Sequence, residues 1–179
     1  MTSVHVRTAT PTDAPTLAAI QLRSWRGAYS HLVGDLLDPS QDAEQTAAIT
    51  ATWRRAIAAP PSPRHAVHVA VGDDLVVGFL AHDEAGDIVA LAVDPAHQRQ
   101  GHGSRLLAAA ARGALDAGIT SLGSWSPEAD EARRALLVSA GFRPDGARRE
   151  LITGEIRLVE EHFVALLGSD ASTDPERFL

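Results

Sequence analysis

From Ile88 to Leu107 the chain runs as an apolar stretch, Ile88-Val89-Ala90-Leu91-Ala92-Val93, then Asp94-Pro95, then Gln98-Arg99-Gln100-Gly101-His102-Gly103, and then a leucine- and alanine-rich stretch from Ser104. A buried strand that turns through a glycine-spaced loop into a helix is suited to holding an anion. The first turn of a helix leaves several backbone N–H groups without intrahelical acceptors and carries the positive end of the helix dipole. A diphosphate placed there is bound by main-chain amides, with no lysine needed. Gly101 and Gly103 are expected to remove side chains where such an anion would approach the backbone.

Other chemistries fit less well. The Gly-Lys-Ser/Thr of an ATP-binding P-loop is absent, and Leu106 stands at the third glycine position of a dinucleotide fingerprint. There are no cysteines, which removes disulfides, thiolate nucleophiles and thiolate metal sites together. Eight histidines invite a metal reading, yet the closest pairs, His65 with His68 and His97 with His102, match no zinc spacing. No metal is therefore expected. The Gly-x-Ser-x-Gly elbow of serine hydrolases is also missing.

The elements that must position the loop follow from periodicity and breakers. Val4 to Thr8 predicts a strand, and helical spacing from Thr12 through Trp25 predicts a helix that pauses near Gly27 and Gly34. A second helix is expected from about Gln41 to Ala58, ended by Pro60-Pro61-Ser62-Pro63. His65–Val71 and Leu75–His82 flank Gly72-Asp73-Asp74 as a hairpin, and Ile88–Val93 makes a third antiparallel strand. Ser104–Ala117 repeats Leu106, Leu107, Ala110, Ala111, Ala114 and Leu115 on one face, with Gly118 as its stop. Ile119–Trp125 predicts a strand, Pro127–Ala140 a helix ending at Gly141, and Ala147–Leu167 a hairpin about Thr153-Gly154-Glu155. Trp53 is expected in the core beside Ile49 and Ile57; Trp125 could line the acceptor site or fill the sheet, and packing is the safer expectation.

The loop resembles the GNAT acetyltransferase signature Gln/Arg-x-x-Gly-x-Gly/Ala, met by Gln98, Gly101 and Gly103 after a Val-Asp-Pro strand end. Trp25 and Tyr29 resemble an aromatic pair in the first helices of many bacterial members, and Ala140-Gly141-Phe142 resembles their Ala-Gly-Phe segment. The resemblance spans about Val4 to Leu167. It implies an α/β (α+β) GNAT fold over residues 1–167, a central mixed, mostly antiparallel sheet of six to seven strands flanked by about four helices. Residues 168–179 are polar and read as a mobile tail.

The resemblance further implies acetyl-CoA as co-substrate. Backbone atoms of Leu91, Ala92 and Val93 would meet the pantetheine arm and acetyl group. Gln98, Arg99, Gln100, Gly101, His102, Gly103 and Ser104 would surround the pyrophosphate. Asp130 stands where an asparagine often contacts the arm, and the Val93 N–H would serve as oxyanion donor. Asp87 matches the position of the catalytic glutamate of histone-acetylating members and is the candidate base, with a simple turn role in Gly86-Asp87 as its competitor. Asp83 and Glu84 are further carboxylates nearby. The usual tyrosine acid is replaced by Leu137, leaving water, Ser126, Ser139 or Tyr29 as donors.

The activity implied is transfer of an acetyl group to a primary amine of a small molecule or peptide by direct attack. The alternative is an acyl-CoA-binding sensor or partner module. Surplus negative charge, formally -7, suits a cationic acceptor and argues against nucleic acid. No signal-peptide core or run of about 18 apolar residues is present, so a cytoplasmic protein with no membrane partner is expected. Members of the family are often dimers, which makes a homodimer compatible with the resemblance. The acceptor should be shaped by the stretches around Trp25 to Leu37 and Arg149 to Arg157.

Overall fold

The computed structural model describes residues 4–33, 42–153 and 156–168. Seven strands and four helices follow in the order β1 (Val4–Thr8), α1 (Ala14–Val33), α2 (Asp42–Ala58), β2 (Ala66–Gly72), β3 (Leu75–His82), β4 (Asp87–Val93), α3 (His102–Asp116), β5 (Ser121–Pro127), α4 (Glu131–Ser139), β6 (Arg143–Thr153) and β7 (Ile156–Leu166). The expected mixed fold is present. Helix α1 runs unbroken through Gly27, where a pause was predicted, because a single glycine weakens a helix without ending it. The tail from residue 169 and the turn at 154–155 lie outside the described residues, as does the side chain of Tyr29.

The strands form one sheet in the order β1-β2-β3-β4-β5-β7-β6. All neighbours are antiparallel except β4 and β5. Asp73 and Asp74, both at positive φ (50° and 64°), make the two-residue turn between β2 and β3. Positive φ at both central residues matches the right-handed twist of the strands, and aspartate tolerates it better than most residues.

Two apolar layers clasp the sheet. Beneath α3 and α4, Leu80, Leu106, Leu107, Leu122, Leu137 and Phe163 are almost wholly buried. Beneath α1 and α2, Leu17, Ile20, Trp53, Val69 and Phe79 form the second layer. Trp53 is buried as expected, edge-on to Phe79 at 4.9 Å, with its indole N–H donating to Gln21 Oε1 at 2.7 Å. Leu115, placed by periodicity on the buried face of α3, is 45% exposed instead. It stands in the last turn, where the helix passes the edge of the layer.

Both carboxyl-terminal helix stops follow from glycine. At Gly118 (φ 73°) and Gly141 (φ 89°) the chain turns left-handed. The following amides of Ile119 and Phe142 donate back to Ala114 and Leu137 at 2.8 and 3.0 Å. This closure satisfies the last carbonyls and feeds Ile119 and Phe142 into the core.

Candidate active site

Strands β4 and β5 pair only at Asp87 with Gly123 and Ile88 with Ser124, then diverge. Beyond Ile88 one edge of β4 therefore has no strand beside it. Antiparallel pairing alternates the side to which successive residues point their N–H and C=O. The amide of Asp94 donates to Val77 of β3 at 2.8 Å, so Ala92 also faces β3, while Leu91 and Val93 face the opening. Two of the three residues expected to offer backbone atoms are thus aimed into the gap. The backbone of Ala92 is spent on β3.

The opening is partly bridged from within. Arg133 of α4 donates to the carbonyl of Leu91 at 3.3 Å and to Ser124 Oγ at 3.1 Å. Gln98 donates from its side-chain amide to the carbonyl of Val93 at 3.3 Å. Its side chain thereby ties the loop to the end of β4.

At the end of β4 the loop is exposed from Gln98 to Gly101, with Arg99 (φ 63°) and Gly101 (φ 78°) left-handed. Gly101 is the residue that caps α3, and no side chain caps that helix. The first-turn amides of His102, Gly103 and Ser104 are those that an anion would meet. The structure adds a reason for each glycine beside the sequence reading. Gly101 supplies the left-handed turn, and Gly103 supplies close packing, since a Cβ there would come within 2.9 Å of Leu136 on α4. The His102 side chain points inward, 3% exposed and against Gly72, which leaves its backbone for any ligand.

On the other face of the sheet, α1, β3, β4, β5, β6, β7 and α4 enclose a cleft of about 390 Å³. Asp83, Asp87, Leu91, Trp25, Trp125, Arg133, Arg149 and Glu160 line it. Of the two places open to Trp125, the acceptor site and the sheet, packing in the sheet was the safer expectation. Trp125 instead walls the cleft, with the Arg149 guanidinium 4.3 Å above its ring and His162 4.7 Å from it. Arg149 is tied in turn to Glu160 at 2.6 Å.

Asp83 and Asp87 take different parts. Asp83 Oδ1 accepts from the amides of Ala85 and Asp87, both at 2.9 Å, and so builds the turn into β4. Asp87 has a half-exposed side chain, with Oδ1 3.7 Å from His162 Nε2. Asp94 is held below the ordinary carboxylate value: burial opposes the shift, and it is outweighed by the Ala96 amide and by Arg23 at 2.5 Å.

The residues considered as acids are separated by the structure. Leu137 is fully buried in the core. Ser139 donates to the carbonyl of its own helix at Leu136, 2.7 Å away. Ser126 is fully buried on β5, and its Oγ has no hydrogen-bond partner. Asp130 caps α4 by accepting from the Arg133 amide at 2.9 Å. The helix accordingly starts at Glu131 rather than Pro127.

Residues 63–144, which hold the diverging strands and the capless α3, match the acetyltransferase (GNAT) domain family. Over that segment the chain is similar to the GNAT acetyltransferases. Solved structures share the fold along nearly its whole length. PaiA N-acetyltransferase from Thermoplasma acidophilum, in complex with coenzyme A, superposes with a TM-score of 0.70 at 17% identity, covering 89% of this chain and 98% of that one. A GCN5-related N-acetyltransferase from Rhodopseudomonas palustris gives 0.68 at 20%, covering 92% and 96%. YncA from Salmonella typhimurium, a putative acetyltransferase with acetyl-CoA as its cofactor, gives 0.67 at 17%, covering 96% and 98%. Among curated proteins none matches in sequence.

Gln21, Arg133 and Glu160 of the cleft, and His162 and Asp145 behind it, escaped the sequence reading, whereas Arg149 opens a stretch that was expected to shape the acceptor site. Alternation along β7 places Glu160 and His162 on one face. Which face, and opposite which residues of β5, depends on a register that the sequence does not display. Among the described residues no helix is long and apolar enough to cross a membrane, and no group of three metal-ligating side chains occurs.

Proposed function

We propose that this protein is a cytoplasmic N-acetyltransferase that moves an acetyl group from acetyl-CoA to a cationic primary amine of a small molecule or peptide by direct attack. The carrying observation is the opening between β4 and β5: the edge of β4 left unpaired beyond Ile88 leads on to the loop and the start of α3, and β4 also lines the cleft that holds Asp87. The amides of His102, Gly103 and Ser104 suit the pyrophosphate, and Leu91 suits the pantetheine arm. Acetyl-CoA supplies the activated acyl group.

The protein's own part is positioning and proton handling. Val93 would donate its N–H toward the thioester oxygen, where negative charge grows during attack. An ammonium has no lone pair, so the acceptor must lose a proton first, and Asp87 is the carboxylate placed to take it, directly or through a water. Asp83 and Asp87 on the wall favour a positively charged acceptor, and Trp25 offers an apolar face for its carbon skeleton. With Leu137 in the core, the thiolate leaves without a tyrosine. A thiol of reference pKa about 8.5 needs only modest help to depart.

Release of free coenzyme A from acetyl-CoA in the presence of polyamines, aminoglycosides, amino acids and peptides tests the reading. Turnover with at least one amine, lowered about 10²-fold or more in Asp87→Asn with coenzyme affinity kept, is expected. Absence of acetyl-CoA binding would end it.

A further inference from the structure

Asp87 does not stand alone at the cleft wall. Behind it His162 of β7 turns Nε2 toward Asp87 Oδ1 at 3.7 Å and offers Nδ1 to Asp145 Oδ2 of β6 at 2.7 Å. Three strands thus contribute a carboxylate, an imidazole and a second carboxylate in line. Asp145 is fixed by the Ala147 amide on its other oxygen at 2.9 Å, inside an irregularity where β6 advances from Pro144 to Arg148 while β7 advances only from Phe163 to Glu161. The imidazole, 15% exposed, is braced by Trp125.

Gly123 makes the approach feasible. It lies between β4 and β7 in the sheet, and a Cβ there would collide with the Asp87 carboxylate and sit 2.8 Å from His162 Nε2. A side chain at that point would drive the two groups apart. The imidazole N–H and the Ala147 amide also hold the Asp145 carboxyl below its ordinary value, so it stays anionic beside the ring.

We propose that His162, oriented by Asp145, is a positioning residue that relieves Asp87 of the proton taken from the amine. The inference rests on Asp87 as the base. The ammonium N–H bond breaks, its electron pair stays on nitrogen for attack, and the proton passes to the Asp87 carboxylate. That proton then crosses the 3.7 Å gap, through one water, to Nε2 of His162, whose Nδ1–H remains bonded to Asp145, and the imidazolium returns one proton to solvent. The sequence has an energetic reason. A primary ammonium has a reference pKa of about 10.4 and a carboxyl about 3.9, whereas imidazole stands near 6.5, so a proton that reaches the imidazole rests roughly 2.6 pK units less uphill than one left on the carboxyl. The charged groups facing His162 are Asp87 from β4 and Asp145 from β6; β5 offers Gly123 and Trp125.

Two measurements on the intact protein test this. Nuclear magnetic resonance titration of the His162 ring should show its midpoint falling by about half a unit or more in Asp87→Asn and again in Asp145→Asn, since each removes a neighbouring negative charge. In the coenzyme A release assay, His162→Gln should lower kcat about 10- to 100-fold, leave the KM for acetyl-CoA unchanged and remove one ionisation from the pH profile. Asp145→Asn should shift that ionisation to lower pH, and it decides the matter if His162→Gln does not fold. A midpoint indifferent to both aspartates overturns the relay, as does wild-type kcat with an unchanged pH profile in His162→Gln. Loss of activity in Asp87→Asn beside full activity in His162→Gln overturns the relay and keeps the base. Full activity in both overturns both.

Discussion

Arg133 donates across the opening of the sheet to the carbonyl of Leu91, 3.3 Å away, joining α4 to a strand edge that no other strand covers. The same guanidinium reaches Ser124 of β5, so one side chain spans the gap where β4 and β5 part. In the proposed reading the pantetheine arm competes for that carbonyl, and binding must break the bond.

Arg133→Ala is therefore expected to bind coenzyme A several-fold more tightly. It should melt at a lower temperature, because a hydrogen bond from a charged donor contributes about 1.5–3 kcal/mol. Isothermal titration and thermal melting measure the two effects separately. Weaker binding would mean that the guanidinium itself holds the coenzyme.

The glycines of the loop should separate by cause. Gly101→Ala retains an open loop but places a Cβ at φ 78° and beside the Arg105 guanidinium, which should cost about 1–2 kcal/mol of stability. Gly103→Val pushes a branched side chain into Leu136 and should spread α3 from α4, lowering stability by about 1–3 kcal/mol and coenzyme affinity with it. Denaturant melts read with and without coenzyme A distinguish the two. Equal stability of Gly103→Val and the parent would contradict the packing role.

A third expectation concerns acid. Burial, with like charge from His82 and Arg112, pushes His68 down to about 4. In the unfolded chain an imidazole takes its proton near 6.5. As pH falls from about 6.5 to 4 the unfolded state binds a proton that the folded state refuses, so stability declines through that window by up to about 3 kcal/mol. Above pH 6.5 both states are neutral and the residue contributes no slope. His68→Gln should flatten the fall in denaturant melts between pH 7 and 4.5; identical slopes would mean that His68 charges readily in the fold.

The pattern of residues along the chain was enough for most elements, because their causes are local. Gly118 and Gly141 stop helices through the left-handed conformation that they adopt at little cost, and Asp73-Asp74 close a hairpin for a related reason. The loop from Gln98 to Gly103 was legible since its signature and its geometry lie within one short segment. Yet the packing role of Gly103 was not legible, as its neighbour Leu136 comes from a distant part of the sequence.

By itself the sequence determined an α/β chain with a glycine-spaced loop opening a helix, and a carboxylate, Asp87, entering the strand that leads to it. Only the tertiary structure decided that β4 and β5 part after Ile88, that Trp125 walls a cleft rather than filling the sheet, and that His162 and Asp145 stand behind Asp87. The physical reason is register. Side chains on β4, β5, β7 and β6 become neighbours through pairings between segments far apart in the chain, and a shift of one residue in any pairing would send these groups to the opposite face.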